Sequence, residues 1–363
     1  MSAASLPRLV RDGRVVVLLL LAAAPAIALS AVVPDEIGGD NFEGFNLTPC
    51  DGSLASDSAA AADYAAALDL CATTTEGSHA PGLISATLSL TGGTGTPEAA
   101  SRRIRSAYGS ISPRRGSTLA MLSTGTAAGS GDAGYVAPQP GFTTPNQSTI
   151  PSDWLAAHGG QVPDPPACQP VATTANDPVM LKLRIRVPNN AQSFSFDANY
   201  VTADYPEYAC SSFTDVFVAL LDSGFGALLN PSDKNIATPV SFPGLPFSVN
   251  LAIPDNGSFT QCVNGLIGCE SPSPKSMTTC TGTSQLVGTG MELADANACS
   301  TGQQVGGGTG WYAVHGNVVR GDTIELRLAI WDSGDHAFDS NVVLDNFRWS
   351  YQPVQAGAVP ALP

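Results

Sequence analysis

The sequence predicts a mostly β protein: a jelly-roll-like β-sandwich with one short N-terminal helix and long disulfide-stapled loops. Three observations carry that expectation. Several runs alternate apolar and polar residues with a period of two, turns rich in Gly and Pro separate them, and eight cysteines, an even number, are spread along the chain.

The N-terminus comes first and reads as an export signal rather than part of the fold. Arg8, Arg11 and Arg14 precede an unbroken apolar run from Val15 to Ala24, and Pro25 ends it. Ala28 and Ser30 suit cleavage before Ala31, while Ala26 with Ala28 suits an earlier cut. A charged start, a short apolar core and small residues at the exit define a signal peptide over residues 1–30. The competing reading is an uncleaved membrane anchor, which wants about 20 apolar residues. No later run is long enough to span a bilayer, so no transmembrane span is expected in the mature chain.

Residues 31–56 read as an irregular N-terminal segment, 57–352 as one β-sandwich domain and 353–363 as a C-terminal tail. Ala55 to Cys71 is alanine-rich, with Ser56 or Asp57 available to cap it, and predicts the helix. Leu83 to Leu90 and Ser117 to Thr126 read as strands. A Gly-, Pro-, Thr- and Asn-rich stretch near 127–176 reads as an inserted loop. In Met180 to Val187, Leu181, Leu183, Ile185 and Val187 alternate with Lys182, Arg184 and Arg186. Ser193 to Tyr200 continues the pattern, and Phe213 to Leu221, apolar on both faces, predicts a central buried strand. Near 222–310 four cysteines among Gly, Ser, Thr and Pro read as a stapled insertion, with Gly306 to Gly308 as a turn. Thr323 to Trp331 and Asn341 to Tyr351 close the strand series.

The cysteines are Cys50, Cys71, Cys168, Cys210, Cys262, Cys269, Cys280 and Cys299. In an oxidising compartment such a set reads as disulfides, and the absence of paired C-x-x-C spacing argues against zinc. Loop-closure entropy favours local pairs, Cys50 with Cys71 and Cys262 with Cys269. The charge balance is acidic. Removing residues 1–30 takes three Arg and one Asp, leaving 13 basic and 30 acidic residues, a net charge of −17. Nucleic acid and anionic membrane surfaces repel such a chain, whereas cations do not.

Two acidic stretches carry a resemblance to a known family. Ala203-Asp204-Tyr205-Pro206-Glu207-Tyr208, followed by Cys210 and by Phe213-Thr214-Asp215-Val216-Phe217, forms the first. Leu328 to Asp335 (LAIWDSGD), then Asp339-Ser340 and Leu344-Asp345, forms the second, and Leu119 to Gly125 (LAMLSTG) lies upstream. In that order these motifs resemble the choice-of-anchor L domain, over most of the exported chain and most closely in its second half. Thr214 stands where that family usually has Asn. The resemblance implies an exported bacterial protein with a surface or adhesion-like role, and it is silent on chemistry. After Tyr351 the sequence runs out as QPVQAGAVPALP, with no sorting motif or anchoring helix, so attachment to the cell stays open.

Three functional readings follow. The first is a secreted or cell-surface, non-enzymatic binding module whose partner is an extracellular or surface protein or glycan. The second adds calcium and makes it a calcium-dependent carbohydrate-binding protein. Asp332, Asp335 and Asp339 fall within one strand end and its turn, and Glu207 or Asp215 can complete a site for a cation that takes about 6–8 oxygen ligands. Against calcium stands the common use of Asp to cap turns through local hydrogen bonds. The third is a hydrolase using carboxylates such as Asp204, Glu207 and Asp215, or a triad from His336, Asp335 and Ser333 or Ser340. No G-x-S-x-G, H-E-x-x-H or phosphate-binding glycine loop supports it. Trp311, Tyr312, Trp331, Trp349 and Tyr351 can form either a sugar platform or core packing, and strand preference favours packing.

Overall fold

The structure is a computed structural model, and it describes residues 49–225, 229–253, 258–270, 276–278, 280–292, 299 and 305–362. Residues 1–48, which include the expected signal peptide 1–30 and most of the expected irregular segment 31–56, lie outside the described residues. In chain order the elements are α1 (Ala61–Ala67), β1 (Gly82–Ser89), β2 (Arg102–Arg105), β3 (Leu119–Ser123), β4 (Gln147–Ser148) and α2 (Ser152–Ala157). Then come β5 (Ala175–Arg186), β6 (Ser193–Thr202), β7 (Thr214–Asp222), β8 (Gln261–Cys262), β9 (Gly265–Ile267) and β10 (Ser276–Thr278). The last four are β11 (Gly307–Asn317), β12 (Thr323–Ser333), β13 (Ser340–Ser350) and β14 (Gly357–Pro360). The protein is mostly β, with two antiparallel sheets. One sheet runs β1-β5-β12-β7 with β4 beside β5; the other runs β14-β11-β6-β13-β3-β2 with β8 beside β11. A separate β9–β10 ribbon completes the β structure.

The period-two pattern builds the core directly. Leu181, Leu183 and Ile185 of β5, Phe217, Ala219 and Leu221 of β7, and Ile324, Leu326, Leu328 and Ile330 of β12 belong to one buried cluster. Phe194, Phe196, Ala198 and Tyr200 of β6, with Val342 and Leu344 of β13, join the same cluster from the other sheet. Two such inward faces pack as a sandwich because neither can leave its apolar stripe in water.

The opposite faces are also partly covered. Val216, Val218 and Leu220 of β7 and Trp331 of β12 bury against Trp154 of α2, whose ring meets Trp331 edge-on at 5.8 Å. This second layer explains why β7 is apolar on both faces. It is buried as expected, but it ends its sheet rather than occupying the centre. Isolated bridges from Phe217 to Phe247 and from Leu220 to Asn235 cover its outer edge.

Several expectations need correction. The inserted stretch 127–176 holds a second short helix, α2. The Gly306–Gly308 run is not a turn, because β11 begins at Gly307 and pairs with β6. Small residues are needed there: a Cβ at Gly308 would lie 2.7 Å from the Tyr200 carbonyl oxygen. The tail folds back, and β14 pairs with β11 from Tyr312 to His315. Helix α1 starts later than the alanine pattern suggests, and neither Ser56 nor Asp57 caps it. Ser58 instead accepts from Ala60 N at 3.1 Å and donates to Asp63 at 2.5 Å.

The disulfides join Cys50 to Cys71, Cys168 to Cys210, Cys262 to Cys280 and Cys269 to Cys299. The first pair matches the local-loop expectation. The pairing of Cys262 with Cys269 is overturned by backbone register. Cys262 N donates to the Gly282 carbonyl at 2.9 Å, and Cys280 N donates to Asn264 Oδ1 at 2.5 Å, which sets Cys280 beside Cys262. Closing the longer, 18-residue loop costs under about 1 kcal/mol more than the shorter one, so a few hydrogen bonds outweigh the entropy argument.

Candidate functional site

The same alternation that builds the core turns polar at one end of the sandwich. In β12 the inward series Ile324, Leu326, Leu328 and Ile330 continues to Asp332. In β7 the series Leu221, Ala219 and Phe217 continues to Asp215, and in β6 the series Phe194 to Tyr200 continues through Thr202 to Asp204 just beyond the strand. The register makes these ends coincide. Asp332 pairs with Asp215 across β12 and β7, and with Asn176 across β12 and β5. Directly opposed residues in an antiparallel pair carry their Cβ atoms about 5 Å apart. Asp177 lies beside Asn176 at the start of β5, with a left-handed φ of 47° that Asp tolerates better than most residues.

Hydroxyl groups from the other sheet close the layer. Thr124 Oγ1 donates to Asp215 Oδ2 at 2.6 Å, and Ser340 N donates to Thr124 Oγ1 at 2.8 Å. Tyr200 donates its hydroxyl proton to the Asp215 carbonyl at 2.9 Å. Asp215 N in turn donates to Asp204 Oδ2 at 3.2 Å. Asp204, Asp215 and Asp332 are only 1–3% exposed. Burial is the largest cause that pushes all three carboxyl groups above the usual carboxylate range. For Asp204 and Asp332 the next cause is the charge of Asp215, and Asp335 also acts on all three. Like charges crowded in a low dielectric disfavour the ionised form of each.

The turn from Gly334 to Asp339 roofs this layer. Asp335 is half-buried and accepts from Ala337 N at 3.2 Å. His336 Nδ1 lies 2.6 Å from Asp177 Oδ2, and Asp177 Oδ1 accepts from Thr144 N at 2.8 Å. Asp339 clamps a neighbouring loop, where its Oδ2 accepts from Phe142 N at 3.0 Å. A Cβ at either Gly125 or Gly141 would run into the Asp339 carboxylate, so both positions need glycine. Glu207 is buried, and its charge acts on Tyr208 together with those of Glu270, Asp204 and Asp335.

Of the five acids singled out in the sequence, the fold therefore brings Asp215, Asp332 and Asp335 together. Asp339 works as a loop clamp beside them, and Glu207 borders Tyr208. Asp204 belongs to the layer itself, and Asp177 flanks it. The signal that finds Asp204, Asp215 and Asp332 is the continuation of each inward series past its last apolar residue. Among the described residues, no group of three or more His, Cys, Asp or Glu side chains is placed to hold a metal ion as it stands.

Around the roof lies an aromatic rim. Tyr208 and Phe338 face each other with ring centroids 4.6 Å apart, and Phe338 holds a left-handed φ of 65°. Phe213, 41% exposed, leans over Gly334. Phe142, half-buried, is held through its backbone on Asp339. No triad forms here: Ser333 Oγ accepts from Trp331 Nε1 at 2.9 Å, Ser340 Oγ meets Tyr200 at 3.1 Å, and His336 turns to Asp177. Four of the five C-terminal aromatics are dispersed rather than united in a platform. Trp331 packs on Trp154, Trp349 on Phe194 and Phe347, Tyr312 on Phe247, and Trp311 lies under Arg114. No family model, curated protein or solved structure matches the chain.

Proposed function

We propose that the protein is an exported, non-enzymatic binding module that engages an extracellular or cell-surface glycan or protein through the aromatic rim at the carboxylate end. The observation that carries this reading is the rim itself. Phe213 is exposed and Tyr208 and Phe338 are half-buried, on loops whose ends are fixed by paired strands and by the Cys168–Cys210 disulfide. Aromatic side chains on loops of a rigid scaffold supply contact area at low entropic cost, which suits recognition. Export is supported by the signal-like sequence of residues 1–30 and by four disulfides. No described helix is long and apolar enough to cross a membrane. The ordered similarity to the choice-of-anchor L domain points the same way.

The hydrolase reading is weaker. The carboxylates nearest one another are almost fully buried, and a general acid must reach the atom it protonates. The carbohydrate reading is favoured by the half-buried Asp335 beside Tyr208, since a carboxylate next to an aromatic face matches a sugar's hydroxyl edge and apolar face. The test is binding of the labelled exported chain to a glycan array and to immobilised extracellular proteins. Phe213→Ala and Tyr208→Ala are expected to lower binding at least about tenfold without changing the melting temperature by more than a few degrees. Variants that bind as wild type would remove the rim from the account.

A further inference from the structure

We infer that the carboxylate layer is a calcium site, with Asp204, Asp215 and Asp332 as ligands from the sandwich interior and Asp335 closing it from the roof. The inference rests on the interior and is independent of what the rim recognises.

Three other inward acids show how protein donors can answer a buried carboxylate, although Asp164 and Asp69 keep buried oxygens without a hydrogen bond. Asp197 is buried, and there Arg114 Nε approaches to 3.1 Å while Asn346 donates at 2.8 Å. Asp345 is fully buried and accepts from Arg114 N at 2.5 Å, Arg115 N at 3.2 Å and Asn346 N at 2.6 Å. Asp51 accepts from Ser117 N, Thr118 N and Thr118 Oγ1 at 2.6–2.9 Å. Each of these carboxylates has its charge answered by protein donors.

Asp332 does not. It is 3% exposed, points inward in register opposite Asp215, and receives no hydrogen bond from any described residue. None of the ion pairs among the described residues includes Asp204, Asp215, Asp332 or Asp335. His336, in the roof turn, has its Nδ1 2.6 Å from Asp177 Oδ2 instead. A buried carboxylate without donors is costly, and several facing one another are more so. A cation supplied from solution resolves both costs at once.

The donor set selects the cation. All four ligands are carboxylates, and every described cysteine is in a disulfide, so the site is hard and oxygen-only. The carboxylates come from two strand ends, the segment after β6 and a turn, which is a yielding frame rather than a rigid octahedron. Calcium accepts about 6–8 oxygens in variable geometry, whereas magnesium demands near-ideal octahedral placement. Because no three of these side chains are placed to hold an ion as they stand, binding requires them to rotate toward a common centre. Asp177 lies behind this set with its own partners, Thr144 and His336, and orients the roof.

The experiment is thermal unfolding of the exported chain in chelator, in about 1 mM calcium and in about 1 mM magnesium, concentrations chosen for the weaker extracellular class of sites. Metal analysis of the dialysed protein accompanies it. Calcium is expected to raise the melting temperature by roughly 5 °C over chelator, with about one ion per chain and a smaller response to magnesium. Asp332→Asn and Asp215→Asn are expected to abolish the calcium response while melting above chelator-treated wild type, because each removes the cost of burying an acid that the unfolded chain keeps ionised. If a variant does not fold, a calcium titration of wild type alone decides the matter. An unchanged melting temperature in calcium and chelator with no bound metal would overturn the inference and leave the layer neutralised by protons.

Discussion

Asp164 offers a stability test whose size follows from its surroundings. Its Oδ1 accepts from Asn250 Nδ2 at 2.8 Å, and Asn250 is fixed because its own Oδ1 accepts from Cys210 N at 2.6 Å. Asp164 Oδ2 is sealed from water without a partner. Burial pushes this carboxyl group up to about 7, and the Asn250 hydrogen bond offsets only part of the effect. The folded protein therefore holds a proton on Asp164 that the unfolded chain, with its ordinary carboxylate value of 3.8, has already released. Stability contributed by this group is present below about pH 4 and is lost as pH rises to about 7, after which it changes no further. At 1.36 kcal/mol per unit, the two units from pH 5 to pH 7 amount to about 3 kcal/mol as an upper figure. Asp164→Asn keeps the Asn250 bond and cannot titrate. Its own constant cost, an amide nitrogen without an acceptor, cancels when one variant is compared with itself at two pH values. Urea unfolding of wild type and variant at pH 5 and pH 8 is the assay. Wild type is expected to lose up to about 3 kcal/mol more than the variant between the two. Other buried acids such as Asp69 and Asp345 titrate in both proteins and drop out of the difference. Parallel losses in the two proteins would refute the reasoning.

Further outcomes are open to simple measurement. Gly125→Ala drives a methyl group into the Asp339 carboxylate and displaces its bond from Phe142, so a loss of about 1–3 kcal/mol is expected in thermal unfolding. Peptide mapping of the unreduced protein is expected to recover Cys262 with Cys280 and Cys269 with Cys299; a Cys262–Cys269 peptide would contradict the register of β8.

Much of the fold was legible because one-sided burial writes itself into a strand as alternation. Met180 to Val187 and Thr323 to Trp331 read correctly for that reason, and their inward residues are the core. What escaped was local context. The start of β11 reads as a turn because Gly307 and Gly308 are there for close approach to Phe259 and the Tyr200 carbonyl, a demand invisible without the neighbours. Helix α2 is short and embedded in Pro- and Gly-rich sequence, and its reason for existing is Trp154 covering Trp331. The tail strand β14 has no pattern of its own and is ordered by pairing with β11.

The site divides in the same way. Asp332 and Asp215 were visible as acids at strand ends. That they face each other follows only from register. Asp177 was hidden because Asn176-Asp177-Pro178 has the composition of a turn, yet it opens β5. Sequence proximity also misled. Asp335 and His336 are neighbours in the chain, but His336 finds its carboxylate partner 159 residues away in Asp177.

The central claim is that the inward carboxylates form a working end of the sandwich rather than a packing accident. Isothermal titration of calcium into the chelator-treated chain without residues 1–30 tests it most directly. A single saturable site is expected in wild type and no measurable binding in Asp332→Asn. Absence of calcium binding in folded wild type, or equal binding in the folded variant, would contradict it.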